Sequence, residues 1–201
     1  MAKDKKKKFV SQQRVLVDNA NISSDLKFRI EEAYKSIRAN IMFSVVKKGC
    51  KIIVVSSSLP NEGKTTTTVN LAASISQADQ RVLLIDGDLR KPKIHQYFSI
   101  SSAPGLTDYL SDVASARHKM DIFGIIHPTK YENLSVITSG TIPPNPAELL
   151  GSDFMRDFLN GISKDFDYII IDTPPLNVVS DALPLIRESD GIVLVVRDNQ
   201  T

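Results

Sequence analysis

The chain has 201 residues, 42% hydrophobic and 24% charged, with a formal net charge of +2; this suits one α/β domain with a full core and excludes a disordered or fibrous chain. The charge is uneven: residues 1–14 hold five Lys and one Arg against one Asp, or +5, so the remainder sums to −3. A lone cysteine, Cys50, excludes an internal disulfide and fits a reducing compartment, while the absence of any long apolar run excludes a membrane span or a signal peptide.

Residues 1–24 are polar, carry Lys5, Lys6, Lys7 and Lys8, and are expected to form a flexible basic segment ahead of a single domain over 25–201. Such a segment is drawn to an anionic membrane face by about 1 kcal/mol per basic residue, or is simply a solvated tail. Nucleic acid is not an expected partner, because no basic stripe or aromatic platform accompanies it. Residues 25–46 read as an amphipathic helix: Ile30, Ala33, Tyr34, Ile37, Ile41 and Val45 share one face, with Glu32, Lys35 and Arg38 on the wet side.

The next stretch organises the chain. The β-branched run Ile52-Ile53-Val54-Val55 enters a polar turn that ends in Gly63-Lys64-Thr65-Thr66, and a helix-compatible run follows over 67–78. Strand, phosphate loop and helix in that order make a P-loop, even though Ser58 stands where the motif usually begins with Gly. Backbone N–H groups of Ser58, Asn61, Glu62, Gly63 and the first helical turn are expected to cradle phosphate oxygens. Lys64 is expected on the β- and γ-phosphates, the Thr65 hydroxyl on Mg²⁺, and Thr66 in the same cradle.

A second buried strand, Val82 to Ile85, runs into Asp86-Gly87-Asp88-Leu89-Arg90. Ligands sit beyond the carboxyl ends of strands in an open parallel sheet, so Asp86 and Asp88 fall on the P-loop rim, placed to serve a metal, a nucleophile or both. Residues 94–117 read as helix in pieces with a turn at Pro104-Gly105. Residues 134–138 read as a short strand, 139–146 as a proline-stiffened loop, and 147–159 as one helix. His95, His118 and His127 have no ligand spacing and read as structural or surface residues. Tyr168 to Ile171 is a strongly apolar strand ending in Asp172, the form of a Walker B element whose carboxylate reaches Mg²⁺. A helix over 181–188 and a fifth strand over 192–196 close the pattern. Continuous apolar strands alternating with helices predict a doubly wound, mostly parallel sheet in an α/β/α three-layer P-loop NTPase fold.

These motifs together resemble the bacterial tyrosine kinases of capsule and exopolysaccharide synthesis, the BY-kinases. The resemblance rests on residues 85–92, the loop 139–150 and Ile171-Asp172-Thr173-Pro174-Pro175 beside the P-loop. It implies phosphoryl transfer from ATP to protein tyrosine. Lys64 and Thr65 take the Walker A roles. Asp86 and Asp88 are the Walker A′ carboxylates, with Asp86 the candidate to accept the tyrosine proton. Asp172 is the Walker B residue, and Arg90 assists phosphate charge or subunit contact. It also implies Mg²⁺, a transmembrane activator whose cytoplasmic tail completes the nucleotide site, and a location at the inner face of the membrane. A homo-oligomeric ring would be built through Glu32, Lys35 and Arg38.

The sequence departs from the family at three places. Lys35 replaces an Arg of the ring motif and supplies charge without a bidentate fork. Asn61 stands where Gly is usual, although Asn tolerates positive φ. The family's last strand and C-terminal tyrosine cluster have no counterpart in these 201 residues, which predicts an exposed sheet edge; the five tyrosines are dispersed, with Tyr168 read as core. Two other readings stay open. A partitioning or division-site ATPase of similar fold would carry a signature Lys at the position of Leu59. An assembly scaffold would bind nucleotide without turning it over.

Overall fold

A computed structural model describes residues 23–116 and 119–198. The Lys5–Lys8 run, with the expected flexible segment except for its last two residues, and His118 lie outside the described residues. Ser23 opens helix α1 (Ser24–Ser44), its Oγ accepting the Leu26 N–H, with Asp25 in the first turn. Then follow β1 (Lys51–Ser57), α2 (Lys64–Ser76), β2 (Val82–Asp86), α3 (Ile94–Phe98) and α4 (Leu106–Ala114). A short 3₁₀ turn (Ile122–Ile125) leads to β3 (His127–Pro128) and β4 (Leu134–Ile137). The chain continues through α5 (Pro146–Leu150), α6 (Asp153–Ile162), β5 (Tyr168–Asp172), α7 (Ala182–Arg187) and β6 (Gly191–Val195).

The sheet order is β3-β4-β2-β5-β1-β6, and only the β3–β4 pair is antiparallel. Alternate strand residues feed two cores. Ile52, Val54, Leu83, Ile85, Ile169 and Ile171 meet Leu106, Leu110, Phe158 and Leu185 on one face. Ile53, Val55, Val82, Leu84 and Ile170 meet Ile41, Val69, Ala72 and Ala73 on the other. Burial on both faces is why β1, β2 and β5 read as unbroken apolar runs. The doubly wound three-layer expectation holds, and Tyr168 is core, 1% exposed.

Four local expectations are corrected. The sheet has a sixth strand, β3, whose two residues are too short to show any periodicity and whose Pro128 is tolerated at an edge. The single helix over 147–159 is two helices. The first ends at Gly151, and Ser152 caps the second, its Oγ accepting the Met155 N–H at 3.3 Å. Arg38 leaves the wet face of α1: its Nη1 donates to the Ser74 carbonyl at 2.6 Å, tying α1 to the P-loop helix. Ala33, read on the apolar face, is exposed. The expected edge exists among the described residues: β6 pairs only with β1, and Ile192 and Leu194 stand half exposed on one face.

Candidate active site

Strands β1, β2 and β5 lie side by side and end at the same rim, which brings the predicted motifs together. The loop after β1 turns through two left-handed residues, Asn61 at φ 67° and Gly63 at φ 92°. A Cβ on Gly63 would meet nothing within 4 Å, so glycine is needed there for its backbone and not for space. Asn61 adopts the positive φ expected of it. Glu62 braces the loop: Oε2 accepts the Leu59 N–H at 2.7 Å and Oε1 the Arg197 N–H at 3.3 Å. The Ser58 carbonyl accepts the Asn177 N–H at 3.3 Å. Ser58 and Glu62 therefore fasten the loop to its neighbours, while Asn61, Gly63, Lys64, Thr65 and Thr66 line a cleft of about 410 Å³. That volume is in the range of small-molecule sites.

Asp172, at the end of β5 and 1% exposed, is the hub. Its Oδ1 accepts from Lys64 Nζ at 2.8 Å and from the Thr68 hydroxyl at 2.9 Å. Its Oδ2 accepts from the Thr65 hydroxyl at 2.7 Å. Lys64, Thr65 and Thr68 thus converge on one carboxylate at the end of β5. Asp88 lies on the far side of Lys64, with Oδ2 3.9 Å from Nζ, and accepts the Lys91 N–H at 3.0 Å.

Asp86 sits in register with Asp172 on the adjacent strand. It is fully buried, and its oxygens accept backbone N–H groups of Asp88 (3.3 Å), Lys93 (3.1 Å) and Ile94 (3.0 Å). Burial, reinforced by the negative charge of Asp172, pushes its carboxyl up to about 7. Asp88 lines the cleft, whereas Asp86 lies behind it. Between them, Gly87 passes so close to β5 that a Cβ would stand 2.8 Å from the Asp172 carbonyl and 2.9 Å from Ile171 Cγ2.

Arg90 also lines the cleft, with Lys91 and Lys93, and is held by Asp181 through Nε–Oδ2 at 2.6 Å and Nη2–Oδ1 at 3.1 Å. Glu32 and Lys35 pair with each other on the exposed face of α1 at 2.7 Å. Sequence reasoning passed over Asp181, Thr68 and Tyr97, whose hydroxyl lies 2.7 Å from that of Thr66 in the cleft wall. The only local signal for Asp181 was its place at the start of a helix. Among the described residues no three His, Cys, Asp or Glu side chains form a self-sufficient metal cage. Among the described residues no helix is long and apolar enough to cross a membrane.

The chain is similar to known proteins in sequence and in fold. Residues 50–200 match an AAA domain family, a P-loop fold that binds nucleotide. Over 170 residues the chain is 41% identical to the tyrosine-protein kinase YwqD of Bacillus subtilis, covering 85% of this chain and 69% of that one. The kinase domain of Escherichia coli tyrosine kinase ETK superposes with a TM-score of 0.80 at 34% identity, over 94% of this chain and 71% of that one. The septum site-determining protein MinD of Pyrococcus horikoshii, solved with Mg-ADP, reaches 0.60 at 22% identity over 73% and 58%, which is a likeness of fold alone. The division-site ATPase reading is therefore the weaker one, as Leu59 in place of the signature Lys had indicated. The chain belongs to the bacterial tyrosine-protein kinase family.

Proposed function

We propose that this chain transfers the γ-phosphoryl group of Mg-ATP to protein tyrosine in the cleft between the P-loop and residues 86–93. The observation that carries the proposal is the convergence of Lys64 and Thr65 on Asp172 beside a second acid, Asp86, in register on the adjacent strand. Phosphoryl transfer needs positioning and charge neutralisation more than covalent chemistry. Lys64 moves from Asp172 to the β- and γ-phosphates. Thr65 and Asp172 would hold Mg²⁺, with Asp88 and Asp86 flanking it; the ion would supply charge neutralisation at the transferred group. Arg90, Lys91 and Lys93 add positive charge at the cleft mouth.

Asp86 is the proposed acceptor of the phenolic proton as the new O–P bond forms and the bond to the departing ADP oxygen breaks. Its oxygens are closed off by the N–H groups of Asp88, Lys93 and Ile94, so it meets the acceptor only when residues 87–93 lift. Asp88, which already faces the cleft, orients the acceptor hydroxyl.

We further place the enzyme in capsule or exopolysaccharide synthesis, at the inner membrane face, with a transmembrane activator tail and a ring of like subunits. The family resemblance supports these assignments, and the exposed Glu32–Lys35 pair is available to a neighbour. The test is phosphotyrosine formation on a Glu-Tyr copolymer with Mg-ATP, with and without an activator tail, against Lys64→Met. Transfer that depends on Lys64 supports the reading. Transfer that survives Lys64→Met overturns the site assignment, and nucleotide binding without any transfer supports the scaffold instead.

A further inference from the structure

Asp181 is a buried carboxylate, 1% exposed, that backs the cleft-lining Arg90 and that the scheme above leaves without a task. It stands at the N-terminal boundary of α7, yet its side chain caps no helical N–H. Both of its oxygens go to Arg90, in two parallel bonds of 2.6 and 3.1 Å. A buried carboxylate is costly on its own, and a two-bond pair with a guanidinium is the arrangement that offsets the cost best. Arg90 in turn is 47% exposed and lines the cleft with Lys64 and Asp88. A guanidinium has five N–H donors, and Asp181 engages two. Without that fork a half-exposed Arg samples many rotamers; with it, the plane of the group is fixed.

We infer that Asp181 is a positioning residue for phosphoryl transfer: it clamps the Arg90 guanidinium at the cleft wall with its other donors left for nucleotide phosphate. The inference rests on the proposed reading of this cleft as the phosphoryl-transfer site. It also gives a role to each of the two acids on β5 and the loop that leaves it. Asp172 holds Lys64 and Asp181 holds Arg90, so one segment sets both cations.

The test uses the full chain as wild type, Arg90→Ala, Arg90→Lys, Asp181→Asn and the Arg90→Ala/Asp181→Asn double variant. Mg-ATP-dependent transfer to a Glu-Tyr copolymer is read as kcat per folded molecule, with thermal unfolding alongside. Arg90→Ala and Asp181→Asn are each expected to lower kcat about tenfold to hundredfold. Arg90→Lys is expected to match them, because Lys lacks the fork. The double variant is expected to lose no more than Arg90→Ala alone, since Asp181 acts only through Arg90. Wild-type kcat in folded Asp181→Asn, or a double variant that loses the product of the single losses, overturns the inference. If Asp181→Asn does not fold, Arg90→Lys decides: wild-type kcat overturns it and a loss supports it. Lys64→Met reports separately on the site, so retained transfer there refutes the reading of the cleft and not the Asp181 contact alone.

Discussion

Replacing Asp86 by Asn should make the protein more stable at pH 8 while abolishing its activity. The folded chain pushes this carboxyl from 3.8 to about 7, chiefly by burial and then by the charge of Asp172. A carboxyl that binds its proton more tightly in the folded state stabilises the fold while protonated. Its contribution is present at low pH and is lost as pH rises from about 4 through about 7. Three pKa units correspond to about 4 kcal/mol across that window, of which about 2.5 kcal/mol falls between pH 5 and pH 8. Asn carries no charge to desolvate. Its Oδ1 still accepts the Lys93 and Ile94 N–H groups, although its Nδ2 then faces the Asp88 N–H at a cost of about 1–2 kcal/mol. The net expectation at pH 8 is a gain of about 2 kcal/mol, or about 4–8 °C in Tm for a chain of this size. Urea unfolding of both proteins at pH 5, 6, 7 and 8 gives the answer. The difference between Asp86→Asn and wild type should widen with pH, and a difference that stays flat would refute the assignment of the buried proton to Asp86.

Gly87→Ala should cost about 1–3 kcal/mol, because its Cβ would press on the Asp172 carbonyl at 2.8 Å in a rim that has no room to give. Gly161→Ala in α6, where a Cβ meets nothing within 4 Å, should instead stabilise by about 0.5–1 kcal/mol; chemical denaturation distinguishes the pair. Arg38→Ala should lower stability by about 1.5–3 kcal/mol, since it removes a charged donor from the Ser74 carbonyl. Glu32→Ala with Lys35→Ala should leave stability within about 1 kcal/mol, because the pair is half exposed. If that face joins subunits, light scattering should show a smaller mass for the double variant.

Most of the site was legible because its chemistry is carried by residues adjacent in sequence. Glycine, Lys and Thr after an apolar run, and Asp at the ends of two such runs, place themselves once the strands are parallel. What local sequence could not carry was the direction in which each side chain spends its bonds. Glu62 braces Leu59 and Arg197, two segments 138 residues apart that the β1–β6 pairing brings together. Arg38 shares a helix face by spacing with Lys35, yet it reaches inward because α2 presents a carbonyl with no helical partner at Ser74. Asp181 looks like an ordinary helix start until the fold brings Arg90 to it. The break at Gly151-Ser152 was readable, since Gly followed by a capping Ser is a stop and a start; reading 147–159 as one helix missed it.

The two central cations rest on buried acids, and in the proposed site that arrangement would couple nucleotide to metal. Lys64 lies 2.8 Å from Asp172, which is 1% exposed. For ATP to enter alone, Lys64 must leave Asp172 for the phosphates. Asp172 then keeps only the hydroxyls of Thr65 and Thr68, beside an incoming polyanion. A buried carboxylate stripped of its counter-ion costs about 3–5 kcal/mol, or roughly a hundredfold or more in affinity. In the proposed site, Mg²⁺ would remove this cost by taking the place on Asp172 that Lys64 gives up. ATP affinity should therefore fall at least a hundredfold when Mg²⁺ is chelated, and Asp172→Asn should narrow that gap, because Asn leaves no charge to neutralise. Titrating a fluorescent ATP analogue with and without EDTA measures both. Equal Mg²⁺ dependence in wild type and Asp172→Asn would mean that the metal acts on the phosphates alone, and that the Lys64–Asp172 pair is not what nucleotide displaces.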